Sequence, residues 1–242
     1  MDQFEGVLIE EEKGCQIVKL PINSSKQNMQ NKKCDYKTLA IMTLYSYMTP
    51  NEITLEQGYE ELYRFAYRNK IEKDMDEIEE LSNNKRDTII RNIKKLTKLN
   101  SGLITAVNSP KGIIYYINYR GEKGGDFVTI EEDILRLLVN TTNSSVIKVY
   151  ILLKYLCRKG SREIHRAYIA EQIGLSTNRN SLNRISDMTY VLEQIGLIKK
   201  KVKYKTIILE NGNEHFTQAT EYELCTYEEY KQKRNNDKNK KI

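Results

Sequence analysis

The strongest constraint on this chain is a pattern that occurs twice. "LSNNKRDTIIRNIKKL" begins at Leu81 and "LSTNRNSLNRISDM" at Leu175, and each leads to a "GLI" that ends at Ile104 or Ile198 after the same number of residues. In both, a polar start precedes apolar residues at helical spacing, and β-rich runs with a turn signal follow. A helix that feeds a β-hairpin, found twice, calls for two packed units of one plan. The match is imperfect inside: aligning "RNIKKL" with "NRISDM" shifts the register in each half. The repeat is one of fold plan, with no claim of sequence duplication.

The first half fills in the plan. "DYKTLAIMTLYSYM" sets Leu39, Met42, Tyr45 and Met48 along one face, the spacing of a buried helix. "TLEQGYEELYRFAYRN" opens with Thr54 and Gln57 in capping-box order and continues with Leu55, Tyr59, Leu62 and Ala66 at helical spacing. "KDMDEIEEL" carries the stripe Met75, Ile78, Leu81. Ser82 then breaks that helix and caps the next, whose inward residues are Ile90, Ile93 and Leu96. Two β-rich runs follow around Asn108 to Gly112.

The second half repeats the order. "TIEEDILRLLVNT" reads as a helix capped by Thr129 with Glu132 three residues on, and "SSVIKVYILLKYLCRKG" as the central core helix. "REIHRAYIAEQIGL" predicts a short helix ending at Gly174. Ser176 is the expected cap of the next helix, with Leu182, Ile185, Met188, Leu192 and Ile195 inward. Asn211-Gly212 then marks a hairpin.

Helix, turn, helix, hairpin is the winged-helix order. The expected fold is therefore mainly α with small β-hairpin wings (α+β), as two winged helix-turn-helix domains in tandem. Glycines and charge in "NYRGEKGGDF" mark a linker. The boundaries are residues 1–120 for the N-terminal domain, 121–227 for the C-terminal domain, and 228–242 for a basic tail without a core, expected to be disordered.

Composition narrows the function classes. No apolar run approaches membrane-span length, and the acidic start lacks the layout of a signal peptide, so the expected location is the cytoplasm. Cys15, Cys34, Cys157 and Cys225 are scattered without a C-x-x-C pair, which argues against a zinc site or a disulfide frame. A net charge of +6 is compatible with nucleic acid without requiring it, so distribution matters more than the sum.

That distribution singles out candidate DNA-binding residues. The early turns of the second candidate helix carry Asn178, Arg179, Asn180, Ser181, Asn183 and Arg184, with no acidic residue before Asp187. Arginine pairs with guanine, asparagine with adenine and serine with either, and recognition helices read bases from their N-terminal turns. In the first half, Lys85, Arg86, Thr88, Arg91, Asn92, Lys94, Lys95 and Lys98 stand against a single Asp87. The preceding acidic stretch (Glu72, Asp74, Asp76, Glu77, Glu79, Glu80) offers the competing explanation, intramolecular neutralisation. In the second wing, strand alternation puts Lys199, Lys201, Lys203 and Lys205 on one face and Lys200, Val202 and Tyr204 on the other. That lysine face suits phosphate, or guards an edge strand against aggregation. The first wing offers Lys111, Tyr115 and Tyr116.

An enzyme is not expected. Two histidines, His165 and His215, provide no paired-histidine metal site, and no phosphate-binding G-x-x-x-x-G-K-[ST] loop occurs. No cofactor is expected.

The units "LSNNKRDTIIRNIKKL…GLI" and "IAEQIGLSTNRNSLNRISDM…GLIKK" make the chain resemble plasmid and phage replication initiators with tandem winged helices, from about Asp35 to Thr226. The resemblance rests on domain order and helix grammar. It implies double-stranded DNA as partner, with Asn178 to Arg184 reading one major groove of a repeated origin site and Lys85 to Lys95 reading or clamping the next. It also implies self-association, or contact with replication proteins, in some states. A transcriptional regulator that dimerises through its first half, by Tyr59, Tyr63 and Tyr67, is the main alternative. An interaction module that has lost DNA contact is a third.

Overall fold

Among the described residues, each half of the protein runs strand, helix, helix, strand, helix, helix, strand, strand. The computed structural model describes residues 17–22, 27–31, 33–48, 64–68, 78–98, 104–109, 112–118, 126–208 and 214–239. The first set is β1 (Ile17–Ile22), α1 (Gln27–Gln30), α2 (Tyr36–Met48), β2 (Arg64–Arg68), α3 (residues 78–82), α4 (Arg86–Lys98), β3 (Ile104–Ser109) and β4 (Gly112–Asn118). The second is β5 (Asp126–Glu131), α5 (Glu132–Thr141), α6 (Ser144–Leu156), β6 (Arg162–Ile164), α7 (Arg166–Gln172), α8 (Arg179–Ile195), β7 (Ile198–Ile208) and β8 (Glu214–Leu224), with α9 (Tyr227–Asn239) after it. The fold is α+β with small antiparallel sheets. Two three-stranded sheets have the matching orders β2-β4-β3 and β6-β8-β7.

The halves are joined through a third sheet. β1 pairs antiparallel with β5, setting Val18 opposite Ile130 and Leu20 opposite Val128, and all four side chains are buried. This ribbon lies against α2, α5 and α6, and one continuous apolar core runs from Val18 to Tyr230. The residues expected as a linker, 119–125, lie outside the described residues.

α6 is the centre of that core. Eight successive residues, Val146 to Leu153, are buried, so the helix is covered on all sides. Asn143 caps it, its Oδ1 accepting from the backbone N–H groups of Ser145 and Val146. α7 ends in a Schellman turn: Leu175 N–H donates to the Ala170 carbonyl and Gly174 N–H to the Glu171 carbonyl. Gly174 has φ +79°, and a Cβ there would collide with the carbonyl of Gln30 in α1. Only glycine allows the second half to approach the first this closely.

Several local expectations change. Thr129 stays in β5, and α5 begins after Glu131, which makes no side-chain cap bond. Ser82 is a buried member of α3, its Oγ accepting from Asn84 N–H, so it does not cap α4. In α4 the deepest inward positions are Ile89, Ile93 and Leu96, with Ile90 only half-buried. Ala66, expected in a helix, lies in β2, where pairing with β4 overrides its local spacing. Arg162 to Ile164, expected as helix, form β6 against β8 for the same reason. Thr54, Gln57, Tyr59, Tyr63 and Met75 lie outside the described residues.

The tail expectation is corrected as well, because Tyr227–Asn239 is helical. A capping box starts α9: Glu229 N–H donates to Thr226 Oγ1, and Thr226 N–H to a Glu229 carboxylate oxygen. Tyr230 is buried, the Tyr227 hydroxyl donates to Asp133, and Lys233 donates to the Glu193 carbonyl near the end of α8. A cation at a helix C-terminus is favourable, so this basic segment has a docking place that composition alone did not reveal.

Candidate nucleic-acid interface

α8 begins two residues later than its expected cap. Asn178 is the cap, with Oδ1 accepting from Ser181 N–H at 2.9 Å. Ser176 instead pairs through Oγ with the Ser181 hydroxyl at 2.9 Å. Ser181 is buried with Ile185, Met188, Thr189 and Leu192, so it leaves the candidate reading face. Asn178 spends its carbonyl oxygen on the cap. Arg179, Asn180, Asn183 and Arg184 remain exposed on the first turns, and Leu182 packs partly against the core. The inward stripe expected from spacing is otherwise the observed one. Its phase puts Arg184 on a flank of the helix and Arg179 and Asn183 nearer the crest.

The other early residues on the second half have structural work. Arg166, at the start of α7, donates to Ser186 Oγ of α8 at 2.8 Å, fixing the two helices to each other. His165 is exposed at the N-cap position of α7 and makes no side-chain cap bond.

On α4, Lys85, Arg86, Arg91, Lys94, Lys95 and Lys98 are exposed, while Thr88 is half-buried. Among the described residues the ion pairs lie elsewhere, and none joins Glu79 or Glu80 of α3 to α4. Asn92 is committed inside the protein. Its Nδ2 donates to Asp35 Oδ2 at 2.7 Å and to Thr38 Oγ1 at 3.3 Å, tying α4 to the start of α2. Its amide nitrogen therefore positions α4 against α2.

A cleft of about 600 Å³ opens between the halves, lined in part by residues of α4 and by one residue of α8. Thr88, Asn92 and Lys95 line one wall and Arg184 lines the other. The floor is where the halves meet: Tyr36 N–H donates to Ser144 Oγ at 2.8 Å, and Lys37 Nζ to the Thr142 carbonyl at 3.1 Å. Lys148 is 5% exposed and donates to the carbonyls of Met29 at 2.9 Å and Asn31 at 3.1 Å. Burial holds the Lys148 ammonium below the usual lysine range, against the raising effect of Cys34 and Asp35. Lys37 is lowered by burial in the same way. Beside them, burial pushes the Cys34 thiol up to about 11.

The lysine face of β7 has a different environment from the one expected. Lys203 pairs with Glu221 of β8 at 3.1 Å and Glu163 of β6 at 3.3 Å, and Lys199 with Glu229 of α9 at 2.6 Å. Register sets Lys201 opposite Glu221 and Lys199 opposite Glu223. Hydrogen bonding to Glu221 and Glu163 raises Lys203, and its hydrogen bond lowers Glu221. The face is a ladder of both signs, in which Lys199 and Lys203 already have carboxylate partners. Of Lys205, only the backbone position in β7 is described. The opposite face carries Val202 and Tyr204, both exposed, with Lys200 held by Glu193 at 3.1 Å. In the first wing Tyr115 is buried, so it does not face a ligand; Lys111 lies outside the described residues.

Sequence reasoning missed Lys33, Lys37 and Lys148 as cleft residues. Lys33 stands in a short connection without periodicity, Lys37 in the first turn of α2, and Lys148 within the apolar run of α6. Among the described residues, no three His, Cys, Asp or Glu are placed to hold a metal ion, and no helix is long and apolar enough to cross a membrane. Cys34, Cys157 and Cys225 are unpaired. No known protein family matches the chain, nor does any curated protein or solved structure.

Proposed function

We propose that the protein binds double-stranded DNA sequence-specifically through two winged-helix units, in the manner of a replication initiator at a repeated site. The observation that carries this reading is the symmetric placing of α4 and α8. Each is the second helix of a helix pair, each precedes a hairpin, each carries exposed cationic residues, and each contributes one of them, Lys95 or Arg184, to a common cleft. The equivalent sheet orders β2-β4-β3 and β6-β8-β7 support assigning both halves to the winged-helix plan.

In this reading Arg179, Asn180, Asn183 and Arg184 enter a major groove, arginine toward guanine O6 and N7 and asparagine toward adenine N6 and N7. Arg91, Lys94 and Lys98 of α4 hold the adjacent turn. Their charge supplies affinity and salt dependence, whereas the amides of α8 supply sequence preference. Because one core joins the halves, the second contact becomes intramolecular once the first has formed.

Selection of bound sequences from a random duplex pool tests the reading. The expected product is two unequal half-sites about one helical turn apart. Arg179→Ala should then cost about 1–3 kcal/mol on that site and relax one position of it. A palindrome would indicate a dimeric regulator with one reading helix per chain, and no enrichment would refute base reading.

A further inference from the structure

The cleft between α4 and α8 has a lining that neither base reading nor core packing explains. Among the described residues that line it, five cationic side chains, Lys33, Lys37, Lys95, Lys148 and Arg184, stand with one carboxylate. That carboxylate, Asp35, is already engaged: Oδ2 accepts from Thr38 Oγ1 at 2.6 Å and from Asn92 at 2.7 Å. Asp35 therefore organises the wall and leaves an excess of positive charge facing the opening. Lys37 and Lys148 spend their protons on backbone carbonyls, so they contribute field from the floor. Lys33, Lys95 and Arg184 are exposed at the mouth, contributed by three different segments.

Small-molecule pockets are mostly apolar with a few polar anchors. This cleft is about evenly polar and apolar, and its polar share is cations and hydroxyls; among the described residues that line it, Ile173 and Leu175 are the aliphatic members and none offers an aromatic face on which a base could stack. Its chemistry suits phosphate. Its position suits a phosphate of one particular origin: a duplex lying across α4 and α8 must pass its backbone over the space between them.

We propose that this cleft receives a backbone phosphate of the DNA segment between the two half-sites, held by Lys33, Lys95 and Arg184. The inference rests on the reading of α4 and α8 as DNA-binding helices. It adds a contact that senses no base, and one that exists only when both halves share one duplex. The cleft sets the spacing of the half-sites, because a backbone at the wrong offset misses it.

Affinity of the full-length protein, read by fluorescence anisotropy over a range of potassium chloride, tests this. One set of measurements uses the selected duplex and another a duplex of arbitrary sequence. Lys33→Gln is the informative variant, since Lys33 is exposed and outside both reading helices; Lys95→Gln serves as its repeat. The expected result is weaker binding to both duplexes by the same factor, with the magnitude of the log–log salt slope reduced by about one. Single methylphosphonates stepped between the half-sites should reveal one position that weakens wild type and costs Lys33→Gln nothing further. An unchanged slope, or losses that add at every position, overturns the proposal while duplex binding itself stands. Loss of sequence preference in the wild type would refute base reading, and the slope on arbitrary duplex would still decide on the cleft. Titration with inorganic pyrophosphate provides the last arm. Micromolar binding without DNA, abolished in Lys33→Gln, would assign the cleft to a free polyphosphate and overturn the backbone assignment.

Discussion

Replacing Lys148 by methionine tests whether the joint between the halves depends on one buried ammonium. Methionine keeps most of the volume and takes the ammonium donor from the carbonyls of Met29 and Asn31, of which Asn31 keeps the Cys34 N–H. Hydrogen bonds from a charged group contribute about 1.5–3 kcal/mol each, so the pair amounts to about 3–6 kcal/mol. Two effects reduce that figure. The ammonium gives up hydration on burial, as its lowered pKa records, and methionine has no such penalty. The Asn31 bond is only part-buried, so water can replace the lost donor there. The net loss is about 2–4 kcal/mol. In a chain of this size that lowers the Tm by about 4–16 °C. The assay is urea unfolding followed by circular dichroism and by the fluorescence of the 17 tyrosines, in a chain without tryptophan. Equal stability of Lys148→Met and wild type would refute the reasoning, because desolvation would then offset both bonds completely. Unfolding in two separate steps would mean instead that the ammonium gives the halves their cooperativity.

Three further outcomes are expected. Gly174→Ala should cost at least about 2 kcal/mol in thermal unfolding, because a left-handed residue gains a Cβ that meets the Gln30 carbonyl; a neutral effect would mean α1 moves freely. Cys34 titrates at about 11 when folded against 9.0 when unfolded, so the folded state binds the proton more tightly. The associated stability is present below pH 9.0 and lost as pH rises through about 11. The urea-midpoint difference between wild type and Cys34→Ala should therefore shift against wild type over that range, by up to about 2–3 kcal/mol, and a constant difference would refute it. Finally, Lys203→Gln should leave duplex affinity and its salt slope unchanged, since Glu221 and Glu163 already neutralise that lysine; a slope reduced by about one would return it to the DNA-binding surface.

Legibility followed the range of the interaction that decides each feature. α4 and α8 were readable because their apolar residues recur at helical spacing, and Ile93, Leu96, Ile185, Met188 and Leu192 are buried where that spacing put them, while α6 was readable from its long apolar run. The hairpins β3–β4 and β7–β8 were readable from turn residues and β-rich flanks. β2 and β6 were not, since short strands exist only through pairing with β4 and β8, and their residues carry a local preference for helix. α9 was within reach. Thr226 and Glu229 stand in capping-box order and Tyr230 follows, but abundant lysine and asparagine drew attention to the lack of a core instead.

The candidate interface divides in the same way. Which residues of α8 are exposed follows from its inward stripe, so Arg179, Asn180, Asn183 and Arg184 were accessible to reasoning along the chain. Which polar groups were already spent was not. Asn92 belongs to Asp35, Ser181 to Ser176, Lys203 to Glu221 and Glu163, and three of those four partners lie outside the local segment. The cleft was further out of reach, because Lys33, Lys148 and Arg184 meet only after β1 pairs with β5 and the halves share a core. Periodicity is a property of neighbours in sequence, so the chain by itself determined α4 and α8 with their exposed faces, and turn residues marked its two hairpins. Burial, charge pairing and the joining of two walls into one cleft depend on neighbours in space, and those only the tertiary structure decided.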